Sequence, residues 1–358
     1  MFLTTKLETI HGKTEAHLTI PDKTISIIFP TCIQTEIPDK NGYVPPGTCN
    51  SLFAYYPSFA AAFVTTGVFG VLVGVHVFLA WKWKANYSWV VIMGAIWETL
   101  AFLFRAVSTK NQQSSGLHLV GTLFLLLSPL LINAFCYIAL ARLIQTFHPQ
   151  HSVLRIKAHH LSILFVCLDF IAFVIQIAGG LYASPTDTPE KILRGVHIYM
   201  GGIGIQQFFV VVFVGLAFRF QMEMNQIDRN VVVEQKGKWK RLLWAIYGSL
   251  AFITIRIIFR LVQFTAGTKG AGNDLVGKEA YLYVLEAVPM IFAIACFVVV
   301  HPGPIVDKQM PGIFSSLRRK LPWGRKTDRR QSTRGKEPEG TYVELESHSM
   351  KNSMGLRG

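Results

Sequence analysis

The sequence predicts an all-α integral membrane protein with seven transmembrane helices, its N-terminus outside the cell and its C-terminus in the cytoplasm. Only 16% of the 358 residues are charged, against roughly 25% in a typical soluble domain. The mean hydropathy is +0.37. The apolar residues are concentrated in seven windows, each near the length of about 20 residues at which a helix crosses a hydrocarbon core about 30 Å thick.

The seven windows follow one another with short connections, so they predict one membrane domain, residues 51–303. This domain lies between an extracellular tail, residues 1–50, and a basic, mostly disordered cytoplasmic tail, residues 304–358. The predicted spans are Phe59–Trp81, Tyr87–Val107, Leu117–Ile144, Leu161–Ala183, Val196–Phe218, Leu242–Phe264 and Tyr281–His301.

The distribution of Lys and Arg predicts the orientation. The net charge is +14, but the basic residues near the membrane are unevenly divided, with six on the side of the N-terminus and fourteen on the other side. Cytoplasmic loops carry the excess of Lys and Arg in membrane proteins. The N-terminus is therefore predicted outside, and nucleic acid is not expected as a partner.

The two tails carry separate predictions. In the outer tail, Cys32 and Cys49 would lie in an oxidising compartment and could form a disulfide, or they could remain two unpaired thiols. In the inner tail, the basic stretch 308–334 could attract anionic lipids of the inner leaflet. The alternative is a solvated tail that only enforces the topology.

Three acids and three bases lie inside or at the ends of the apolar windows. A charged side chain in hydrocarbon is costly unless it is paired or wetted, so such residues mark substrate pathways or ion pairs by default. Three glutamines accompany them. The candidate substrate-binding or translocation residues are Glu98, Arg105, Asp169, Gln176, Gln206, Arg256, Arg260, Gln263 and Glu286.

The spacing of these residues predicts which of them meet. Arg256, Arg260 and Gln263 recur at i, i+4 and i+7, so they share one helix face. Glu286 lies at a matching depth in the next span. We therefore predict an ion pair from Glu286 to Arg256 or Arg260, with Arg105 near it.

Each candidate has a structural alternative. Arg105 and Gln263 could extend to the interface, and Gln206 could be a hydrogen bond between helices. Glu98 and Asp169 are too short to reach water from the middle of a span. Pro129 and Pro289 each free a backbone carbonyl and bend a helix, and inward-facing polar groups can use such a carbonyl.

Motifs of several enzyme classes are not found. The sequence has no phosphate-binding G-x-x-x-x-G-K-[ST] loop and no H-E-x-x-H pair, and His159 and His160 are adjacent, which makes a poor metal pair on a helix. We expect no enzyme activity, no cofactor and no metal. An intramembrane zinc hydrolase is kept as a second alternative.

The residues resemble the fungal lipid-translocating exporter family, also called RTA-like proteins, from about Tyr55 to Gly303. The closest likeness is the stretch Arg256-Ile257-Ile258-Phe259-Arg260. The other matching elements are Tyr56-Pro57-Ser58, Glu98, Arg105, Pro129, Ala134, Tyr137, Asp169, Gln176, Gly179-Gly180, Gly202, Gln206, Gln263-Phe264, Gly267, Glu279, Tyr283, Glu286, Pro289-Met290 and His301-Pro302-Gly303.

Two departures from the family pattern are present. Gln263 stands where an acid is expected, and Leu100-Ala101 or Ala101-Phe102 stands where a Gly-Tyr pair is expected. The resemblance implies a seven-helix protein that exports or translocates amphipathic lipids such as sphingoid bases, or confers resistance to toxic amphiphiles. It also implies haem or porphyrin movement for some members. Gln263 removes one negative charge from the predicted polar cluster.

The leading hypothesis is a translocator of amphipathic lipids in the plasma membrane, whose partners are membrane lipids or amphipathic small molecules. Glu98, Asp169 and Glu286 would attract a cationic head group, and Arg105, Arg256 and Arg260 would keep these acids ionised. The first alternative is a seven-span receptor or lipid sensor.

Overall fold

The structure is a computed structural model of the 358-residue chain. It describes residues 36–45, 48, 51–53, 55–150, 152–153, 156–183, 189–230, 237–267 and 278–306. Within these ranges, seven helices are long and apolar enough to cross a membrane. The predicted seven-helix fold is thereby confirmed. The predicted disulfide and the predicted basic tail lie outside the described residues.

The helices follow the predicted order, joined by short connections. A 3₁₀ turn precedes α2, an antiparallel pair of two-residue strands (β1 and β2) joins α3 to α4, and a π-helical turn separates α7 from α8 within the seventh span. The bounds are α1 Phe59–Trp83, α2 Trp89–Ser108, α3 Ser115–Phe147, β1 Ser152–Val153, β2 Ile156–Lys157, α4 Ala158–Tyr182, α5 Pro189–Asn230, α6 Lys238–Gly267, α7 Glu279–Leu282, the π turn Tyr283–Ala287 and α8 Val288–Val299.

Helix α1 is a lipid-facing helix. The Ser58 hydroxyl accepts from the Ala61 N–H and caps its first turn, as Ser commonly does. Its buried residues are Ala62, Phe69 and His76, which recur every seven positions and form one stripe. The remaining faces are apolar and largely exposed, as expected of a helix solvated by lipid.

Helix α3 is the central helix of the bundle. It packs against α2, α4 and α6, and 61% of its most apolar window is buried, compared with 17% for α1. Pro129 lies inside it. A proline cannot donate a backbone hydrogen bond, so the carbonyl of Leu125, four residues earlier, is left without its helical partner.

Helices α4 and α5 approach each other at the distance of backbone contact. A Cβ added to Gly179 would lie 2.4 Å from the Tyr199 nitrogen, and one added to Gly202 would lie 2.7 Å from Gln176 Cγ. Small residues allow such close approach between membrane helices. The crossing therefore depends on glycine at these positions and fixes Gln176 and Tyr199 relative to each other.

The ends of two spans differ from the prediction. Helix α5 runs from Pro189 to Asn230, beyond the predicted span at both ends, because a helix can continue into water past the hydrocarbon limit that hydropathy detects. The seventh helix ends at Val299, and His301 lies in the following turn. The His301 Nδ1 accepts from the Gly303 N–H at 3.0 Å, while its Nε2 faces the Ser88 hydroxyl at 3.4 Å.

Candidate functional site

Three charged side chains in the middle of the bundle form what we call the arginine–glutamate cluster: Arg256, Arg260 and Glu286. Arg256 Nη2 donates to Glu286 Oε1 at 3.0 Å, and Arg260 Nη1 donates to the same oxygen. The Glu286 side chain is 1% exposed. Both ion pairs predicted as alternatives are thus present together, which confirms the predicted pairing.

An irregular stretch of backbone lies on each side of this cluster, one in the seventh span and one in α3. Glu286 lies in the π turn, three residues before Pro289, where regular helical hydrogen bonding is interrupted. On α3, the carbonyl that Pro129 leaves free accepts a 2.8 Å hydrogen bond from Arg256 Nη2. Arg256 therefore binds a carboxylate on one helix and a backbone carbonyl on another.

Aromatic residues complete the surroundings of Arg260. Its Nη2 donates to the Tyr199 hydroxyl of α5, and its guanidinium lies 5.5 Å from the Phe264 ring centre. The Tyr199 and Phe264 rings pack at 4.5 Å. A guanidinium over aromatic rings gains a cation–π attraction, so α5, α6 and the π turn are joined through this one side chain.

Arg105 belongs to a neighbouring set at the end of α2. Its Nη2 donates to the Tyr55 hydroxyl and lies 3.5 Å from Glu279 Oε1. Glu279 also accepts from the Ser58 N–H at 2.8 Å and from the Tyr283 hydroxyl at 3.1 Å. Burial raises the pKa of the Tyr55 phenol, so this hydroxyl stays protonated. Arg105 is thus a link between α2, the segment before α1 and the start of α7.

A small, partly open cleft lies beside Arg105. Its wall is mainly apolar, with Arg105, Ser108, His118 and Thr122 as its polar members. Phe53, from the segment that precedes α1, covers it and packs edge-on against His118 at 5.3 Å. Phe53, in the segment that precedes α1, is therefore packed onto the bundle and contributes to this cleft.

Glu98 is a buried acid without a hydrogen-bond partner. It is fully buried on α2, and neither carboxylate oxygen is hydrogen-bonded to any described residue. The charges of Arg256, Glu286 and Arg260 act on it. The cluster has two bases and one acid, so Glu98 lies close to a group of charges with a net positive charge.

Asp169 is the second buried acid and has different neighbours. It is 1% exposed, and its Oδ2 accepts from the Tyr137 hydroxyl at 2.8 Å. Its Oδ1 has no hydrogen-bond partner, and the amide of Asn133 on α3 is likewise unpartnered among the described residues. Within the described part of the chain, Asp169 forms no ion pair with Lys, Arg or His.

The glutamines divide into two groups. Gln176 Nε2 donates to Gln206 Oε1 at 2.9 Å, and both side chains are buried where α4 crosses α5. This contact fits the hydrogen bond between helices that was the structural alternative for Gln206. Gln263 is half-buried and has no hydrogen bond to a described residue, so the structure does not bring it into the arginine–glutamate cluster.

Besides the partners around Arg105 (Tyr55, Glu279 and Tyr283), four polar residues near the buried charges were not among the sequence-predicted candidates. They are Ser128, Asn133 and Tyr137 of α3 and Tyr199 of α5. A signal was present in part, because Asn133 and Tyr137 are polar residues at i, i+4 in an apolar window and follow Pro129 at the same interval. They extend a buried polar row along α3 toward Asp169.

No metal-binding group is found in the part of the chain that the structure describes. In these residues, no three His, Cys, Asp or Glu side chains are grouped so that they could hold a metal ion. His76 instead donates from Nε2 to the Ile294 carbonyl at 3.2 Å. The buried acids and bases are therefore arranged as ion pairs and single carboxylates.

Seven apolar helices around buried acids and bases define a multi-pass membrane protein with a polar interior. Residues 91–309 match the model of the family described as RTA1 like protein. The chain belongs to this family, which confirms the resemblance seen in the sequence.

Three relatives illustrate the range of the family. The chain is 40% identical over 294 residues to a probable lipid transporter, atnI, of Emericella nidulans, covering 79% of this chain and 76% of that protein. It is 24% identical to the sphingoid long-chain base transporter RSB1 of Saccharomyces cerevisiae, covering 66% and 69%. It is 28% identical to protoporphyrin uptake protein 1 of the same yeast, covering 57% and 65%.

No solved structure matches the chain. The relatives support a membrane protein related to lipid transport.

Proposed function

We propose that this protein translocates amphipathic lipids with a cationic head group, of the sphingoid-base type, between the leaflets of its membrane. The relatives named as a probable lipid transporter and a sphingoid long-chain base transporter support the substrate class. A cationic head group needs an anionic partner on the way through hydrocarbon. The two buried acids outside the arginine–glutamate cluster, Glu98 and Asp169, supply that partner.

The observation that carries the proposal is the unused hydrogen-bonding capacity of these two acids. Glu98 has two buried oxygens without a partner, and Asp169 has one. Buried polar atoms are almost always hydrogen-bonded in native structures. An unpartnered buried carboxylate is therefore suited to a ligand that donates hydrogen bonds and carries a positive charge, such as an ammonium group.

Glu286 has a different role in this proposal. Its Oε1 already accepts from Arg256 and Arg260, so a cationic ligand would compete with two guanidinium groups. The cluster instead holds α6 to the π turn and sets the charge around Glu98. The expectation that Glu286 itself attracts the head group is replaced by this positioning role.

The lipid tail stays outside the polar interior. Large apolar side chains are exposed along α1, α4 and α5, where they contact acyl chains at little cost. The head group would follow the buried polar groups while the tail remains in the bilayer.

A proteoliposome assay tests the proposal. Purified protein is reconstituted, and the movement of a fluorescent sphingoid base between leaflets is measured for the wild type, Glu98→Gln and Asp169→Asn. Both variants remove the charge and keep the volume, so we expect wild-type transfer to be reduced to the rate of empty liposomes.

The matched control is Glu190→Gln, an exposed acid at the start of α5 whose side chain is 85% exposed. It should transfer the base at the wild-type rate. Wild-type transfer in both Glu98→Gln and Asp169→Asn would show that the acids are not the site. Binding of the base without any transfer would identify a lipid sensor instead.

The proposal is of a transporter and not of an enzyme. A zinc hydrolase would contain stoichiometric metal after purification and would cleave its lipid. Elemental analysis of the purified protein and mass spectrometry of the recovered base test this directly. We expect no bound zinc and an unaltered base.

We further propose that the protein works in the plasma membrane and protects cells from toxic amphiphiles by export. The basic stretch 308–334 would favour the anionic inner leaflet. The location of a fluorescent fusion measures the first point, and the growth of cells on a toxic sphingoid base measures the second. Retention of the fusion in an internal membrane, together with resistance that does not depend on the protein, would contradict them.

A further inference from the structure

We infer that Asp169 carries a proton in the empty protein and releases it when the ammonium head group of a lipid binds. The inference rests on the proposed function and adds to it a proton exchange at one named carboxyl. The juxtaposition that carries it is a buried acid whose polar neighbours, Tyr137 and Asn133, are neutral, and which forms no ion pair with Lys, Arg or His among the described residues.

Among the residues that the structure describes, the surroundings of Asp169 offer no compensating charge. From α3, Tyr137 and Asn133 face it, and Cys136 interacts with it electrostatically. From α5, the Phe213 ring packs 4.4 Å from the Tyr137 ring. None of these groups is a cation. An ionised carboxylate at this place would be an isolated charge in a medium of low dielectric constant, which is strongly disfavoured.

The protonation state of Asp169 that avoids this cost depends on whether a ligand is bound. In the empty protein, a proton on Oδ1 makes Asp169 neutral, while Oδ2 still accepts from Tyr137. An ammonium group has three donors and no acceptor, so it pairs best with the ionised carboxylate, which accepts at both oxygens and cancels the positive charge. Binding therefore exchanges one cation for another: the carboxylic acid and the lipid ammonium give a carboxylate–ammonium pair and one free proton.

Glu98 differs from Asp169 in its neighbours, because the charges of Arg256, Arg260 and Glu286 act on Glu98. Asp169 forms no ion pair with Lys, Arg or His in the described part of the chain. A charge on Asp169 therefore has to be compensated by a proton or by the ligand.

Proton release on binding is the direct test. Purified protein in weakly buffered detergent receives a sphingoid base at a pH where its amine is fully protonated, and an indicator dye reports released protons. We expect one proton per base bound for the wild type and for Glu190→Gln. The N-acetylated base, which has no charge, should release none, and Asp169→Asn should release none with either ligand.

Infrared difference spectroscopy tests the empty state without transport. The empty wild type should show the band of a protonated carboxyl that Asp169→Asn lacks, and added base should remove it. Tyr137→Phe serves as a second variant if Asp169→Asn does not fold. The Tyr137 hydroxyl stabilises the ionised carboxylate, so its loss should move base binding to higher pH.

The outcomes separate the inference from the proposed function. Transfer of the base without proton release and without the carboxyl band would overturn the inference and leave the transporter intact. If no base is moved by any variant, the proposed function fails. The carboxyl band in the empty protein would then still decide whether Asp169 holds a proton.

Discussion

Glu286 and Asp169 are buried to the same extent, and their partners differ completely. Each is 1% exposed, but Glu286 accepts from two guanidinium groups and Asp169 from one phenol. Burial alone therefore does not define the role of an acid in this bundle. The number of cationic donors around it separates a structural carboxylate from one that is available to a ligand.

Replacement of Glu286 should destabilise the protein strongly. Glu286→Gln leaves two buried arginines without their counter-charge, and removing one partner of a buried ion pair costs about 3–5 kcal/mol. Thermal unfolding in mild detergent measures the loss. Glu190→Gln removes one partner of an exposed pair worth about 0–1 kcal/mol, so equal melting temperatures for the two variants would contradict the assignment.

His301 should make the protein sensitive to acid. Burial, helped by the charge of His76, lowers the pKa of His301 from 6.5 to about 4. Between these two values the unfolded chain binds a proton that the folded chain does not, so stability falls as the pH decreases. Above pH 6.5 this contribution is constant.

The measurement compares the wild type with His301→Asn, whose amide oxygen can still accept from the Gly303 N–H. Melting temperatures between pH 4 and 7 should fall less steeply for His301→Asn. His160→Asn, which changes an exposed histidine, should retain the wild-type slope. Parallel curves for all three proteins would refute this role of His301.

At the residue scale, the sequence identifies charges better than their neutral partners. The matching depth of Glu286 with Arg256 and Arg260 predicted their ion pairs because helix geometry fixes depth along the membrane normal. Tyr199 and Asn133 were missed, since a single uncharged polar residue in an apolar window gives no indication of which helix it faces. Their roles depend on which helices become neighbours.

The close crossing of α4 and α5 depends on the absence of a side chain at single glycine positions. Gly179 faces α5, whereas an added Cβ at the adjacent Gly180 would meet nothing within 4 Å. Gly179→Ala should therefore force the helices apart, at a cost of about 1–3 kcal/mol. Gly180→Ala should be neutral or stabilising by up to about 1 kcal/mol.

Thermal unfolding of the two variants checks this prediction, because they make the same chemical change at neighbouring positions. A second readout is base transfer, since separation of α4 and α5 would disturb the bond between Gln176 and Gln206. Equal stability of Gly179→Ala and Gly180→Ala would show that the crossing is less close than the structure indicates.

At the element scale, hydropathy predicts where each span begins and ends to within a few residues for most helices. It does not predict the length of α5, because the part of a helix that projects into water has no apolar signature. It also does not predict the π turn at Tyr283–Ala287. Pro289 signals an irregularity nearby, but several backbone arrangements can accommodate a missing N–H.

The orientation of the whole molecule in the membrane remains a prediction from charge. Asn86 and Lys110 are both exposed and lie at opposite ends of α2. Asn86→Cys should be protected from a membrane-impermeant maleimide in intact cells, and Lys110→Cys should be labelled. The reverse pattern would invert the topology. Permeabilised cells, in which both sites are labelled, provide the control.

At the scale of the whole molecule, seven spans follow from composition alone because the membrane requires uninterrupted apolar helices. The arrangement of these helices around α3 does not follow, since hydropathy gives a position along the membrane normal and no neighbour within the plane. The contacts of Phe53 with His118 and of Tyr55 with Arg105 were likewise not predicted, because hydropathy gives no signal for contacts made by the segment before the first span.

The Leu125 carbonyl, which Pro129 leaves without a helical partner, links the effects of mutations at Pro129 and Arg256. Arg256 uses this carbonyl as an acceptor, and any other residue at position 129 would supply an N–H that competes for it. Substitutions of Pro129 and Arg256 should therefore be epistatic, with a double variant less impaired than the sum of the single ones. In a screen for variants that lose function, Pro129 would then group with the charged residues, although its side chain has no polar atom.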